Sequence, residues 1–514
     1  MMKVLNTDVV IIGSGLAALY AAVRLSGKKR VVLLTKSKWQ SSNSYLAQGG
    51  IAAAYDQSDD WHVQLEDALK AGRYHNNVRE TSFMIKESKH TIDRLIQMGM
   101  TFDRNEDGSI ALAREGGHSA ARILHAGGDA TGRELTKFIK SQLDQHVHID
   151  EYTQACDLIV KDNRCAGVWA KDENGEKVAY LAQDTVIATG GCGHIYAPTT
   201  ADPAVTGDGL AIAYRAGAAL SDMEFVQFHP TLLIKDGKVY GLVSEAVRGE
   251  GAKLINQDGR RLLAGKHPLE DLAPRDVVTR VLFKAQKTGL ASQVYLDISM
   301  IDQFSGHFPT ISRLCREAGI DLSKGRIPVS PGAHFMMGGI AAGHDGATTL
   351  PGLYAIGEAA CTGVHGANRI ASHSLLEAIT YASTMAESIL TEKKSPVNGH
   401  APAVTPAHLH LPAKEQIQRM MFGNVGIWRT KESLLRAIDW CESWGIDFNG
   451  ARNLDLSKDE AERLNMLTVA WLIASSALER TESRGGHTRI DFPGEAERWR
   501  QKSIIREVNQ LEHY

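Results

Sequence analysis

The chain has 514 residues, of which 43% are apolar and 23% are charged, and its formal net charge is −3. One hydrophobic core does not usually support this length, so we predict two to four domains of about 150 residues each. The composition is typical of a soluble globular protein, and the nearly balanced charge gives no reason to expect a nucleic-acid or membrane-surface partner.

The first predicted elements form a β-α-β unit. An apolar strand, Val9–Ile12, precedes the sequence GSGLAA (13–18), and a second apolar strand, Val31–Leu34, follows a helical pattern. Glycines at this spacing let the backbone turn and approach a pyrophosphate, which the amides at the helix N-terminus hold. The N-terminal segment therefore predicts a dinucleotide site.

The end of the second strand departs from the usual fingerprint. An acidic residue should follow it to bind ribose hydroxyls, but Thr35 and Lys36 stand there. This departure weakens a nicotinamide interpretation and leaves open which half of the nucleotide is held.

The apolar run 9–23 also imitates the core of a signal peptide. Asp8 precedes it, glycines interrupt it and a second strand follows, so we expect no signal peptide. The six cysteines show no spacing suited to zinc, an iron–sulfur cluster or another metal site. Scattered thiols in a large chain are typical of a cytosolic protein, and no stretch reaches the length of a membrane span.

Two later segments favour a flavin. Residues 184–196 (DTVIATGGCGHIY) read as a buried strand that ends in a glycine pair. Residues 352–382 read as a strand ending at Gly357 and Glu358, a glycine-rich loop and a helix from about Ser374. Both segments resemble the downstream elements of FAD-dependent oxidoreductases. That resemblance implies that Glu358 binds the ribityl or ribose region, and that the helix N-terminus at Ser374 faces the flavin C2 carbonyl.

Charged and imidazole side chains recur beside glycine or proline between the two flavin segments and within the second. Each alone has a structural explanation, either a surface arginine or a buried histidine. Together, arginine forks and imidazoles are suited to recognising two carboxylates. The candidates are His229, Glu245, Arg248, Glu250, Arg275 (with Asp276 as a possible helix cap), His334 and Arg369.

At this point the chain resembles the succinate dehydrogenase/fumarate reductase flavoprotein family, and within it most closely the branch that oxidises L-aspartate. The likeness runs from about residue 6 to 395 and resumes at 482–493. Its ordered blocks are AQGGIAA, REGGHS, DATGRE, ATGG, GDGLA, QFHPT, RGEGA, APRD, HFMMGG, LYAIGE, HGANRIASHSLLE and ESRGGHTRIDFP.

The resemblance implies an α/β fold, with a Rossmann-like FAD-binding domain, an inserted α+β capping domain and a C-terminal helical domain. The expected boundaries are 1–225 with 330–395 for the FAD domain, 226–329 for the capping domain and 413–514 for the helical domain. A Pro-, Ala- and His-rich linker is expected at 396–412, followed by helical patterns at 431–444 and 464–480.

Residue roles follow from the same resemblance. Arg275 matches the general acid/base, while Glu245 and Arg248 match the relay that exchanges its proton with solvent. His229, Ser244, His334 and Arg369 match the substrate-binding groups. The matching FAD-binding residues are Gly13, Ser14, Gly15, Leu16, Lys36, Asn43, Ser44, Tyr45, Leu46, Ala47, Gln48, Gly49, Gly50, Asp208, Glu358, Ser374 and Leu375. Arginine is a weak base by its free pKa, above about 12, so the role of Arg275 comes from the resemblance alone.

Two positions depart from relatives. Succinate dehydrogenases carry a histidine that bonds covalently to FAD where this chain has Asn43, which implies non-covalent FAD here. Ser244 stands where aspartate-oxidising members often have threonine, so the hydroxyl is kept and we expect its hydrogen bond to be retained.

Glu115, in REGGH (114–118), decides between substrates. Succinate dehydrogenases have an uncharged residue at this place. A carboxylate would attract the ammonium group of L-aspartate and repel a diacid that lacks it.

The implied reaction is FAD-dependent oxidation of L-aspartate to iminoaspartate by hydride transfer to flavin N5, with O₂ or fumarate as electron acceptor. Whether hydride leaves C2 directly or a C2–C3 dehydrogenation product tautomerises stays open. The implied place is the first step of NAD biosynthesis through quinolinate, with handover of iminoaspartate to quinolinate synthase. The alternatives are a soluble fumarate reductase or succinate dehydrogenase-type flavoprotein, and a flavin-containing binding or RNA-modifying protein.

Overall fold

The computed structural model describes residues 2–392 and 403–508. The first seven residues of the predicted linker, 396–402, lie outside the described residues. Within the described ranges, every helix is too short or too polar to traverse a lipid bilayer.

The first part of the chain alternates strands and helices. Its strands are β1 (Lys3–Asn6), β2 (Val9–Ile12), β3 (Val31–Leu34), β4 (Ile51–Ala52), β5 (Leu112–Ala113), β6 (Ile123–Leu124), β7 (Val147–Asp150), β8 (Gln154–Lys161), β9 (Arg164–Lys171), β10 (Lys177–Leu181), β11 (Asp184–Ile187) and β12 (Leu220–Ser221). Its helices are α1 (Leu16–Leu25), α2 (Asn43–Leu46), α3 (Trp61–Ala71), α4 (Val78–Gln97), α5 (Thr131–Ser141) and α6 (Asp208–Arg215).

The middle part contains strands β13 (Val226–Lys235), β14 (Lys238–Leu242), β15 (Lys253–Asn256), β16 (Val294–Asp297) and β17 (Arg326–Met336). Its helices are α7 (Glu245–Gly249), α8 (Arg275–Lys287), α9 (Phe304–His307) and α10 (Pro309–Glu317). The last part contains β18 (Gly339–Ala341), β19 (Leu353–Ala355), β20 (Ala360–Cys361), β21 (Thr405–Pro406), β22 (Leu454–Asp455) and β23 (Ile505–Arg506), with α11 (His373–Thr391), α12 (Lys414–Asn424), α13 (Lys431–Glu442) and α14 (Lys458–Glu479).

The central sheet is parallel and has the strand order β19-β11-β2-β3-β7. It joins the two predicted N-terminal strands to the strands predicted in 184–196 and 352–358, so the predicted α/β fold is confirmed. Alternate side chains face opposite sides, because successive residues of a strand point to opposite faces. Val9 and Ile11 pack with α1 and α11, whereas Val10 and Ile12 pack with α6 and α14. Both faces are therefore buried, as parallel sheets require.

The segment between β13 and β17 has its own apolar core. A second, antiparallel sheet has the order β14-β13-β17-β16-β15, and α8 and α10 pack on it. The buried residues of this cluster all fall between Leu233 and Val329. By contrast, α12, α13 and α14 share one cluster with the central sheet.

The C-terminal helices begin at strong capping signals. Thr430 Oγ1 accepts a hydrogen bond from the Ser433 amide at 3.1 Å, and Ser457 Oγ accepts one from the Glu460 amide at 3.2 Å. In return, the Glu460 side chain accepts from the Ser457 amide at 2.9 Å. Such reciprocal caps satisfy amides that have no partner inside the helix.

Candidate active site

One cavity of about 1050 Å³ lies between the central sheet and the segment that carries β13 and β17. Its volume reaches the upper end of the range for small-molecule sites, about 300–1,000 Å³. Of the residues predicted to bind substrate or cofactor or to act in catalysis, all except Arg248 and Glu250 line it, Glu115 and Ser244 included. Arg248 lies behind Glu245, where it holds that carboxylate from outside the cavity.

The dinucleotide turn forms one end of the cavity. Gly13 has φ +121°, and a Cβ there would lie 2.1 Å from the carbonyl oxygen of Ala188. Gly15 leads into α1 without a side-chain cap, and the Leu16 amide donates to Ser44 Oγ at 3.1 Å. Exposed amides at a helix N-terminus suit an anionic pyrophosphate.

Replacing Gly13 by alanine is expected to yield protein that purifies without flavin. The added methyl group would collide with the Ala188 carbonyl and sit in the left-handed region, which together cost at least about 2 kcal/mol. The ratio of flavin to protein absorbance and the unfolding midpoint measure the effect. Gly99→Ala is the matched control, because φ is +105° but the nearest atom is 3.9 Å away. Equal flavin loss in both variants would assign the effect to backbone strain alone.

Acidic groups remote in sequence occupy the nucleotide end. Lys36 Nζ lies 2.6 Å from Asp208 Oδ2 and 2.7 Å from Glu462 Oε2. Burial would lower the pKa of Lys36, but these two carboxylates outweigh it and raise that pKa. Thr35 Oγ1 accepts from Ser14 Oγ at 3.1 Å. Sequence reasoning found Asp208 but missed Glu462, which lies on α14.

Glu358 and Asn43 meet in the middle of the cavity. Glu358 Oε1 accepts from the Met336 amide at 3.0 Å, and its Oε2 accepts from Asn43 Nδ2 at 3.3 Å. Burial raises the pKa of Glu358. Asn43 Oδ1 also accepts from the Asp202 amide at 2.9 Å, so both ends of the amide are engaged. An amide offers no imidazole nitrogen for the covalent flavin bond of succinate dehydrogenases.

A glycine pair lets backbone close around the flavin region. A Cβ on Gly50 would lie 2.1 Å from the Leu124 carbonyl oxygen, and one on Gly49 would lie 3.3 Å from Ser372 Oγ. Gln48 Nε2 donates to the Leu242 carbonyl at 2.8 Å, while its Oε1 is buried without a partner among the described residues. The size of the cavity, the close backbone approach at Gly49 and Gly50 and the unpartnered Gln48 Oε1 are consistent with bound FAD.

Arg275 stands at the first residue of α8. Its Nη1 donates to Gln227 Oε1 at 2.7 Å, and its Nη2 lies 3.2 Å from Glu245 Oε2. Its Nε is buried and finds no partner in the part of the chain that the structure describes. The sequence suggested Asp276 as the cap of this helix, which is wrong. Pro274 is the cap residue, and Asp276 lies within the first turn, where it pairs with Arg73 and Arg280.

Glu245 connects Arg275 to Arg248. Arg248 Nη2 lies 2.7 Å from Glu245 Oε1, and its Nη1 donates to the Asp271 carbonyl. Burial would raise the pKa of Glu245, but the charges of Arg275 and Arg248 outweigh it and lower that pKa. The chain of contacts ends near solvent, because Asp271 also pairs with the exposed Arg261 at 2.9 Å. Glu250, the remaining sequence candidate, is exposed and lies outside the cavity.

Arg369 and His334 form a second hydrogen-bonded group in the cavity wall. Arg369 Nη2 lies 3.1 Å from His334 Nε2, and Thr200 Oγ1 lies 2.8 Å from His334 Nδ1. Arg369 can only donate, so His334 Nε2 accepts and the ring is neutral. Burial and then the charge of Arg275 lower the pKa of both Arg369 and His334. Two buried guanidinium groups near each other favour a ligand with two negative charges.

His229 presents a free donor to the cavity. Its Nδ1 accepts from the Thr231 amide at 3.2 Å, so the ring proton stands on Nε2. That Nε2 is buried and, within the described ranges, has no partner. Burial, reinforced by the charge of Arg275, holds the pKa of His229 well below its usual range. A neutral N–H donor beside two arginines suits a carboxylate oxygen.

Ser244 caps the short helix α7. Its Oγ accepts from the Ala246 amide at 3.3 Å, and it lines the cavity beside Glu245. The accepted bond leaves the hydroxyl proton available to a ligand. The hydrogen bond to substrate predicted for Ser244 stays a prediction.

Glu115 is 4% exposed and points one oxygen at a strained residue. Its Oε2 accepts from Ser372 Oγ at 2.5 Å, and Ser372 has φ +60°, in the left-handed region. Strain of this kind costs about 1–3 kcal/mol and persists where surrounding contacts impose it. Glu115 Oε1 is buried and has no hydrogen-bond partner in the residues that the structure covers. A cationic group of a ligand would satisfy it.

Three residues that sequence reasoning missed hold these groups in place. Gln227 bonds Arg275 through Oε1 and the Arg369 carbonyl through Nε2, the latter at 2.8 Å. Thr200 fixes the His334 ring and Ser372 fixes Glu115. Gln227 stands in the quoted block QFHPT, but nothing local marks its contacts, which reach residues far along the chain.

Acidification from pH 6.5 to about 5 is expected to lower the free energy of unfolding. Burial holds the pKa of His229, His334, His373 and His487 well below the usual range. Below about pH 6.5 the unfolded imidazoles gain protons while the folded ones stay neutral, so the unfolded state binds more protons and stability falls. Each such histidine contributes up to about 1.4 kcal/mol per pH unit.

Urea unfolding of the flavin-loaded protein at several pH values measures this loss. His373→Gln should make the free energy of unfolding depend less steeply on pH, because one buried imidazole is removed. His62→Gln should not, because His62 is exposed. A dependence unchanged by His373→Gln would contradict the assignment.

Comparison with known proteins agrees with this geometry. The family described as "FAD binding domain" matches residues 8–375, and the family described as "Fumarate reductase flavoprotein C-term" matches residues 414–513. The L-aspartate oxidase of Bacillus subtilis is 44% identical over 97% of this chain and 93% of its own length. That of Streptomyces coelicolor is 39% identical over 97% of this chain and 91% of its own.

Solved structures share the whole architecture. A variant of the E. coli quinol fumarate reductase superposes with a TM-score of 0.86 and 27% identity, covering 98% of this chain and 94% of that one. The Sdh1 complex of Mycobacterium smegmatis in the apo form gives a TM-score of 0.82 and 31% identity, covering 98% and 92%. These likenesses extend over the sheet, the capping segment and the C-terminal helices.

Proposed function

The chain belongs to the L-aspartate oxidase family of FAD-dependent flavoproteins, and we propose on that basis that it oxidises L-aspartate to iminoaspartate with fumarate or O₂ as electron acceptor. The alternative, a succinate dehydrogenase or fumarate reductase-type subunit, shares the fold but has lower identity to this chain. The observation that carries the choice is a buried carboxylate, Glu115, placed in a cavity otherwise lined for dianions.

The proposed substrate site has three parts. Arg369 and His334 face one carboxylate, and Arg275 with His229 Nε2 faces the other. Glu115 Oε1 would accept a hydrogen bond from the substrate ammonium, because it is a buried carboxylate oxygen in the cavity wall with no hydrogen-bond partner among the described residues. Holding the substrate at both ends and at the amine fixes its reacting carbon, and such positioning supplies a large share of catalysis. Bound FAD would accept the hydride.

The proposed proton route begins at Arg275. Glu245 lies 3.2 Å from its guanidinium and stays ionised between two arginines, so it can exchange a proton with Arg275. Arg248 then links Glu245 to the Asp271 carbonyl, next to the exposed Arg261. Arg275 thus has a connection to solvent that does not pass through the ligand. The order of the C2 and C3 steps is left open by these contacts.

The domain boundaries, the cellular location and the metabolic step of this protein are also proposals. We propose the division 1–225 with 330–395, 226–329 and 413–514, supported by the separate apolar core between Leu233 and Val329. Six buried, unpaired cysteines, all within the described part of the chain, support a cytosolic location. The proposed place is the first step of NAD biosynthesis through quinolinate. Iminoaspartate is unstable, which supports handover to quinolinate synthase.

The flavin-loaded protein tests the proposal directly. We expect L-aspartate, added without oxygen, to bleach the visible flavin absorbance, and fumarate added next to restore it. Bleaching by succinate but not by L-aspartate would reject the proposal in favour of the succinate dehydrogenase type. Bleaching by neither would favour a flavin-containing protein with another substrate.

A further inference from the structure

The cavity has to accept two ligands that differ by one charge. This inference rests on the proposed function, in which L-aspartate and fumarate occupy the same site in turn. Glu115 favours the ammonium of L-aspartate, but the same charge repels fumarate, which has only carboxylates. A site that binds both with useful affinity needs a way to compensate that charge when the ammonium is missing.

His125 lies where such compensation is needed. It follows strand β6, and its Nε2 is 3.9 Å from Glu115 Oε1, the oxygen that has no hydrogen-bond partner among the described residues. Its Nδ1 lies 3.5 Å from Thr131 Oγ1. The His125 side chain is 15% exposed and does not line the cavity, so it reaches Glu115 without reaching the ligand.

We propose that His125 is a specificity-determining residue that takes up a proton when fumarate binds and so replaces the positive charge of the substrate ammonium. With L-aspartate bound, the ammonium satisfies Glu115 and His125 stays neutral. With fumarate bound, imidazolium and carboxylate form a neutral pair beside the ligand. Imidazole is the side chain whose charge changes between pH 5 and 8, so the exchange is available near neutral pH.

The other charged groups around His125 are already engaged. The Asp103 carboxylate accepts from the amides of Gly127 and Gly128, and Asp129 accepts from two amides at the start of α10. Arg133 pairs with Glu134, and Arg122 pairs with Asp59 and Asp67. In this neighbourhood of the described chain, Glu115 is the carboxylate with an oxygen left to satisfy.

Two histidines on the ligand side could also take up protons. His229 and His334 are neutral and face the carboxylates of the ligand. Those carboxylates are common to L-aspartate and fumarate, so protons gained there would not distinguish the two ligands. Proton uptake that is lost when His125 is replaced would support this proposal rather than protonation of His229 or His334.

Calorimetric titration of the oxidised, flavin-loaded protein with fumarate counts the protons. Heats measured in two buffers of different ionisation enthalpy give the number taken up per ligand bound. We expect up to about one proton for the unchanged protein, with the fumarate Kd rising by up to about tenfold per pH unit between about pH 6 and 8. His125→Gln keeps an amide donor near the Nε2 position but cannot be charged. It should cut the uptake by more than about half and flatten the pH dependence.

One control variant and one additional test variant complete the experiment. His146→Gln removes an exposed histidine, paired with Asp144, and should leave the uptake unchanged. His125→Asn serves as a second neutral variant should the glutamine variant lose its flavin. For either His125 variant, the KM for L-aspartate should change by less than about twofold.

Uptake that persists in His125→Gln but vanishes in Glu115→Gln would place the proton on Glu115 or on His118, which also interacts with the charge of Glu115, and would overturn the proposal. Uptake that persists in both would place the proton on another histidine, His118, His229 or His334, and would overturn the proposal equally. Failure of L-aspartate to bleach the flavin would reject the proposed function instead, and fumarate titration would still report on His125.

Discussion

Replacing Arg275 by glutamine is expected to lower turnover with L-aspartate by on the order of 10³–10⁴-fold, because general acid–base catalysis contributes about 10²–10⁴-fold and we propose that the guanidinium also holds the ligand. Arg275→Lys should recover little, because a point charge cannot bond Gln227 and face Glu245 in the same geometry. Single-turnover flavin reduction in the absence of oxygen measures the effect.

A control variant must distinguish lost catalysis from a destabilised fold in Arg275→Gln. Arg275→Gln leaves Glu245 buried beside Arg248 alone, and a buried charge that loses one partner destabilises the fold by several kcal/mol. Arg280→Gln removes a guanidinium from the same helix that pairs with Asp276 outside the cavity. It should keep turnover within about threefold of the unchanged protein. Comparable loss in both variants would assign the Arg275 effect to helix α8 rather than to proton transfer.

Replacing Glu115 by glutamine is expected to separate the two half-reactions. The variant keeps the shape of the side chain and the bond from Ser372, but loses the charge that we propose faces the substrate ammonium. A pair of charges about 4 Å apart interacts by roughly 4 kcal/mol at an effective dielectric constant of about 20. We therefore expect kcat/KM for L-aspartate to fall by on the order of 10²-fold or more, while fumarate reduction falls by less than about tenfold.

Glu80→Gln is the matched control for Glu115, because Glu80 is a buried carboxylate of the same domain that pairs with His344 and does not line the cavity. It should leave the ratio of the two activities unchanged. Equal loss of both activities in Glu115→Gln would mean that Glu115 serves only to hold Ser372 and the neighbouring loop.

The sequence predicted what depends on local pattern. Apolar runs of four residues, the glycine spacing at 13–15, the glycine pair after β11 and Gly357 after β19 specify a parallel sheet and a nucleotide turn, because these features need only neighbours along the chain. Asp276 shows the limit of local reasoning. An acidic residue at the start of a helix resembles a cap, yet Arg73, about 200 residues earlier, draws it into an ion pair.

Contacts between distant segments escaped prediction for a related reason. Lys36, which stands where an acidic group was expected after β3, pairs with Asp208 and Glu462, and no spacing in the sequence connects Lys36 to a helix more than 400 residues later. Gln227 was missed because a polar side chain within a strand is expected to face solvent until the helix and loop that contact it are known. His125 and Ser372 became visible only through the distances to Glu115.

The ion pair between Lys36 and Glu462 has a thermodynamic consequence. Helix α14 shares a hydrophobic core with the central sheet and also reaches the nucleotide end of the cavity. We therefore expect seating of the C-terminal helices and retention of the cofactor to be coupled equilibria, in which each favours the other by the same factor. Any change that loosens α14 will be felt as weaker cofactor affinity, and saturating cofactor will in turn resist detachment of the C-terminal segment.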